Sequence, residues 1–211
     1  MDYTTLLDAV TKGDIRTAKE ETQKFMDAGE KPQDVLDQGL IEAMNIVGDK
    51  FSKGAMFVPQ MLRSAKTMQE CVELLNPHFQ GDEVATKGKI VLGTVKGDLH
   101  DIGKNIVGMM LESAGFSIID LGVDVAPEVF VGKIKEAKAD VLGMSALLST
   151  TMPSMSLTIK ALADSGLRDT VKVIIGGAPV TRKYAEDIGA DSYAPDAGSA
   201  VLETKKFFNI S

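Results

Sequence analysis

From Lys89 to the C-terminus one pattern repeats five times. A candidate strand run, the first of them apolar and rich in β-branched residues, is followed each time by a stretch with helical apolar spacing. The runs cover 89–95, 117–121, 140–145, 171–176 and 191–194, and the helical stretches lie near 104–114, 127–138, 153–165, 181–188 and 196–208. Such strict alternation leaves few folds open, because parallel strands need a crossover and a helix supplies it. Runs such as Asp140-Val141-Leu142-Gly143-Met144-Ser145 and Val171-Lys172-Val173-Ile174-Ile175-Gly176 resemble strands covered on both faces. The pattern predicts an α/β domain on a five-stranded, doubly wound parallel sheet. In the order 2-1-3-4-5 the switch point falls between strands 1 and 3.

Residues 1–76 read as helices only. Leu6, Leu7 and Val10 make a short apolar face. Asp14 is placed to cap a second helix running to about Ala28, with Gly29 ending it. Pro32 suits the first turn of a third, which carries Val35, Leu36, Leu40, Ala43, Met44 and Val47 at helical spacing. Val58-Pro59 opens a fourth, carrying Met61, Leu62, Ala65, Met68, Val72 and Leu75. Four helices with short connections predict a small bundle. The polar stretch 77–88, broken by Pro and Gly, reads as a linker, and 89–211 as the α/β domain.

Charge and histidine count narrow the chemistry. The net charge of −7 over 211 residues does not favour nucleic acid or an anionic membrane. The one cysteine, Cys71, excludes an intramolecular disulfide or a CxxC metal site and fits a reducing cytoplasm. Its spacing from Met68 and Leu75 places it in a core. The N-terminus lacks an apolar signal core, and no apolar run is long enough to span a bilayer. With only His78 and His100, a binuclear site built from several histidines is hard to assemble.

The expected site is the edge where strands end and helices begin. After the first strand comes Gly97-Asp98-Leu99-His100-Asp101-Ile102-Gly103, an imidazole with a carboxylate two residues away. That pairing suits a metal ligand with an orienting partner. After the third strand comes the hydroxyl-rich Ser145-Ala146-Leu147-Leu148-Ser149-Thr150-Thr151. After the fourth comes Gly176-Gly177, where a large ligand can approach bare backbone. Taken singly, the Asp-x-His pair is compatible with a helix cap and the glycines with a plain turn. Phosphate cradling is open because Lys104 begins a helix, although GxxxxGK[ST] is absent. One imidazole without further ligands suits a single axial ligand to a metal already held in a macrocycle.

The spacing Asp98-x-His100-x-x-Gly103, 41 residues, Ser145-x-Leu147, 28 residues, Gly176-Gly177 resembles the cobalamin-binding signature. It is shared by cobalamin-dependent methionine synthase and the corrinoid proteins of methanol, methylamine and methoxy-compound methyltransferase systems. Phe51-Ser52-Lys53-Gly54-Ala55-Met56-Phe57-Val58-Pro59-Gln60 resembles part of the helical cap over the upper corrin face in that family. The resemblance covers nearly the whole chain. It implies a flavodoxin-like cobalamin-binding domain preceded by a four-helix cap, with cobalamin as cofactor, methylcobalamin in the loaded state.

The family's roles carry over as expectations. His100 would replace the cofactor's benzimidazole as lower cobalt ligand, base-off and His-on. Asp98 would accept from the other imidazole nitrogen, and Thr151 would complete this relay. Gly97, Asp101, Ile102 and Gly103 belong to the same cofactor-binding loop. Ser145, Leu147, Gly176 and Gly177 would line the channel of the nucleotide tail, with Tyr193, Ala194, Asp196 and Ala197 beside it. Ser149 would lie near the corrin edge, and Phe51 and Val58 near the upper face. The implied function is a methyl carrier, loaded by a substrate-specific methyltransferase and unloaded by a second one onto a pterin or thiol. A reductive activator is a further implied partner; nucleic acid and membrane are not. The alternatives are the cobalamin-binding subunit of a radical mutase and a cobalamin-responsive sensor.

Overall fold

The computed structural model describes residues 2–79 and 86–210. They form two units: Met1–Thr86 with Ser113–Gly115, and Lys87–Glu112 with Phe116–Ser211. Of the stretch read as a linker, 80–85 lie outside the described residues, and Asn76–His78 form a 3-10 turn that leaves His78 exposed.

The first unit holds α1 (Thr4–Lys12), α2 (Ile15–Asp27), α3 (Pro32–Asp34), a π-helical stretch at Val35–Ile41, α4 (Glu42–Ser52) and α5 (Val58–Leu75). Asp14 caps α2, its carboxylate accepting from the Thr17 backbone at 3.2 Å and the Thr17 hydroxyl at 2.8 Å. Gly29 follows the helix with φ +78. The third helix expected from spacing is a continuous helical run whose middle winds wider, as a π turn does. Period-3.6 spacing does not reveal this widening. The apolar residues it selects are buried all the same, among them Leu6, Val10, Leu36, Leu40, Val47, Met61, Met68 and Leu75. A Cβ on Gly39 would lie 2.7 Å from Leu6 Cδ2, so a bare α-carbon lets α1 seat against the π stretch. Cys71 is buried in this core, and burial pushes its thiol pKa up.

The second unit alternates β1 (Lys89–Thr94), α6 (Ile102–Ser113), β2 (Ser117–Asp120), α7 (Pro127–Ala137), β3 (Val141–Ser145), α8 (Pro153–Asp164), β4 (Lys172–Gly176), α9 (Arg182–Ile188), β5 (Ser192–Ala194) and α10 (Ala197–Phe207). The strands are all parallel, in the order β2-β1-β3-β4-β5. One sheet face packs Val91, Leu142, Met144, Val173 and Ile175 with Phe130, Ile134, Met155 and Leu162 of the crossover helices. Burying a large apolar side chain of this kind stabilises by about 1.5–3 kcal/mol. That is why central strands without polar alternation belong between two helical layers.

Register decides what meets at the C-terminal edge. Thr94 pairs with Ser145, Ser145 with Gly176, and Gly176 with Ala194. Four strand ends thus stop in one row, and the loops that leave them start side by side.

Candidate functional site

The loop leaving β1 is held at most of its backbone groups. Gly97 takes φ +85, which glycine enters without a Cβ penalty. The Asp98 N–H donates to the Val95 carbonyl at 3.1 Å, and the Gly97 N–H to Asp124 Oδ1 at 2.8 Å. The Ser154 hydroxyl donates to the Lys96 carbonyl at 3.1 Å, and the Thr94 hydroxyl to the His100 carbonyl at 3.0 Å.

Asp98 is fully buried at the centre of this arrangement. Its Oδ1 accepts from His100 Nδ1 at 2.7 Å and from the His100 backbone N–H at 3.1 Å. Its Oδ2 accepts from the Leu147 N–H at 2.8 Å, the Leu148 N–H at 3.1 Å and the Thr151 hydroxyl at 2.7 Å. Burial pushes the carboxyl pKa up. The hydrogen bonds from His100, Thr151 and Leu147 outweigh it and hold the group well below the usual carboxylate range. An ionised carboxylate only accepts, so the shared proton belongs on His100 Nδ1, and in the neutral ring Nε2 keeps a free lone pair. The His100 side chain is 50% exposed.

Large apolar side chains stand open around Asp98: Leu99 at 70% on the first loop, Ile102 at 76% at the start of α6, and Leu147 and Leu148 on the loop after β3. Exposed apolar groups gathered beside one imidazole mark a binding surface for a broad apolar ligand. Among the described residues no group of three or more His, Cys, Asp or Glu side chains could hold a metal ion. A donor set of one imidazole braced by one carboxylate fits an axial position on a metal whose equatorial ligands are supplied by a macrocycle.

The other expected residues are placed as follows. Ser145 ends β3 half-buried, and Ser149 is exposed on the next loop. Gly177 has φ +124, and a Cβ there would lie 1.9 Å from the Ala146 carbonyl oxygen; one on Gly176 would lie 2.8 Å from the Ala194 carbonyl oxygen. The glycine pair therefore has an internal reason, the close approach of neighbouring backbones. Asp101 accepts from the Asn105 side chain at 3.1 Å, and Gly103 is exposed in the first turn of α6. Tyr193 is half-buried with the Arg182 guanidinium 5.9 Å above its ring. Asp196 caps α10 through the Ser199 N–H at 2.8 Å, and Ala194 and Ala197 are buried. In the helical unit Phe51 and Val58 are half-buried, whereas Phe57 between them is 70% exposed.

Lys104, the residue compatible with a phosphate cradle, turns into the fold. Its ammonium is buried, pairs with Asp120 and donates to Asn105 Oδ1 at 2.6 Å. Sequence reasoning missed Thr94, Leu99, Leu148 and Asp124. Thr94 carries a signal, a hydroxyl at the end of an otherwise apolar strand. The contact of Leu148 with Asp98 carries none, because it is made by a backbone N–H.

Residues 88–202 match the family described as B12 binding domain, and residues 3–76 match a second B12 binding domain family. The trimethylamine corrinoid protein 2 of Methanosarcina mazei is 40% identical over 96% of this chain and 94% of its own length. The dimethylamine corrinoid protein 1 of Methanosarcina acetivorans is 46% identical over 83% of each. The crystal structure of the methanol:cobalamin methyltransferase complex from Methanosarcina barkeri contains a chain that superposes with a TM-score of 0.88 at 27% identity, covering 99% of this chain and 80% of that one. A braced single imidazole at the edge of a five-stranded parallel sheet, in a chain matched along nearly its whole length, places this chain in the family of B12-binding corrinoid proteins.

Proposed function

We propose that this chain is a methyl carrier that binds cobalamin with the benzimidazole displaced and His100 Nε2 as lower cobalt ligand. The observation that carries the reading is the Asp98 carboxylate, buried and bonded at once to His100 Nδ1, two backbone N–H groups and Thr151. It fixes the ring's tautomer and orientation and leaves Nε2 as a donor. Bound cobalamin supplies the metal that takes up and gives away a methyl group. The chain's own residues set how strongly the imidazole donates. Asp98 makes the ring more basic, and Thr151 modulates Asp98, its one hydroxyl proton lying between Asp98 Oδ2 at 2.7 Å and the Leu148 carbonyl at 2.8 Å.

Leu99, Ile102, Leu147 and Leu148 offer the apolar surface against which a corrin would rest. Ser145, Gly176 and Gly177, on adjacent strand ends, would line the path of the nucleotide tail. The names of the trimethylamine and dimethylamine corrinoid proteins support a methylated amine as donor, and the methyltransferase complex of the solved relative supports a substrate-specific methyltransferase as loading partner; a second methyltransferase would unload the methyl group. They favour the carrier over a mutase subunit or a sensor. A reductive activator would return oxidised cofactor to service.

Reconstitution with cobalamin, followed by paramagnetic resonance of the Co(II) form with histidine-labelled nitrogen, tests the ligand. Coupling to histidine nitrogen is expected, and its loss in His100→Ala. Coupling to benzimidazole nitrogen in the wild type would overturn the reading.

A further inference from the structure

We infer that Asp124 is a positioning residue for the lower ligand: it holds the Gly97–Asp98 peptide in place from the neighbouring loop and so sets the aim of the Asp98–His100 pair. The inference rests on the reading of His100 as cobalt ligand. Asp124 lies on the loop between β2 and α7, away from the three strand ends that carry the signature.

Three contacts from Asp124 grip both sides of the peptide that leads into Asp98. Its Oδ1 accepts from the Gly97 N–H at 2.8 Å, and its Oδ2 from Lys96 Nζ at 3.1 Å. Its own N–H donates to the Asp98 carbonyl at 3.0 Å. One residue on, the Val125 N–H donates to the Thr94 carbonyl at 3.0 Å, and Val95 and Val125 form a parallel bridge. The two loops are thereby stitched together directly behind the ligand loop.

The backbone at Asp124 points the same way. Its φ is +54, a left-handed conformation that non-glycine residues rarely adopt and that Asp tolerates better than most. Glycine would enter that conformation freely. What Asp adds is the carboxylate, and the carboxylate is spent on Gly97 and Lys96. Gly97, at φ +85, is the most permissive backbone in the ligand loop, so its N–H is where an outside acceptor restricts the loop most. The carboxylate is half-exposed, so water would replace it as a partner on its loss. What would be lost is order: Asp98 and with it His100 would sample a wider range of positions.

The test uses the full chain and cobalamin itself, with Asp124→Gly, which accepts φ +54 and removes the side chain with its carboxylate, and Asp124→Asn, which keeps the side chain and an acceptor for Gly97. Hydrogen exchange is read at the Gly97 amide without cofactor, cobalamin affinity by absorbance titration, and the nitrogen ligand by paramagnetic resonance. For Asp124→Gly we expect faster Gly97 exchange, about tenfold weaker cobalamin binding and a mixed nitrogen signal, while Asp124→Asn stays within about twofold of wild type. An Asp124→Gly protein that matches the wild type overturns the inference, as does an Asp124→Asn protein that loses as much as Asp124→Gly. Histidine coupling in the wild type with no effect of Asp124→Gly removes this inference alone; benzimidazole coupling in the wild type removes the ligand reading and this inference together.

Discussion

The loop after β1 and the loop after β4 leave the same sheet edge and are held in opposite ways. The first is fastened by side chains: Asp98 alone takes five hydrogen bonds, and Thr94, Asp124 and Ser154 hold the backbone around it. The second is held by the lack of side chains, Gly177 lying so close to the Ala146 carbonyl that no Cβ fits. A group that must present one nitrogen at one angle needs surrounding donors and acceptors to over-determine it. A segment that only has to lie flat against its neighbour needs space. The two loops should therefore fail differently, the glycine loop through stability and the histidine loop through the ligand.

The largest effect is expected at the glycine loop. Gly177→Ala puts a methyl 1.9 Å from a backbone oxygen at φ +124, so backbone must move. We expect a stability loss of about 3–4 kcal/mol, seen as a lower urea midpoint. A change of under about 0.5 kcal/mol would show that the two backbones are not locked together.

At the histidine loop Asp98→Asn should keep the fold but weaken cobalamin binding by about 10–100-fold, measured by absorbance titration, because a neutral amide polarises the imidazole less. The same variant sharpens the comparison through pH. Asp98 has its carboxyl held below its unfolded value, so its contribution is complete above about pH 4 and drains away as pH falls below that. Stability measured across the acid range should therefore fall more steeply in the wild type than in Asp98→Asn. Equal slopes would mean that Asp98 is not held ionised by the fold.

Thr151→Ala removes one of the five donors and leaves the Leu147 and Leu148 amides in place. We expect a loss of about 1 kcal/mol in stability and a few-fold in affinity, clearly less than for Asp98→Asn. The reverse ranking would make the hydroxyl, not the carboxylate, the organiser of the loop.

Much of the fold was legible in order along the chain. The five expected runs match β1 to β5 closely; the central β1, β3 and β4 stand out best, because a strand buried on both faces has no room for polar alternation. The helix starts at Asp14 and Pro32 are legible for a local reason: Asp14 accepts from Thr17 three residues on, and Pro32 has its φ already set for a first helical turn. The π-helical winding at Val35–Ile41 was not, since 3.6-residue spacing selects the same apolar residues whether or not a turn widens.

The site divides along the same line. Sequence by itself determined which residue types the three loops carry: one histidine with a carboxylate two positions away, a hydroxyl run and paired glycines. Tertiary structure alone decided that Thr94, Ser145, Gly176 and Ala194 stop in one row, that the Leu147 and Leu148 amides turn toward Asp98, and that Asp124 grips Gly97 from another loop. It also decided that Lys104 turns inward to Asp120. The physical reason is that a backbone N–H is the same in every residue, and a carboxylate's partner depends on which strands lie side by side. Spacing along the chain names the atoms available; only the register of the sheet chooses which of them meet.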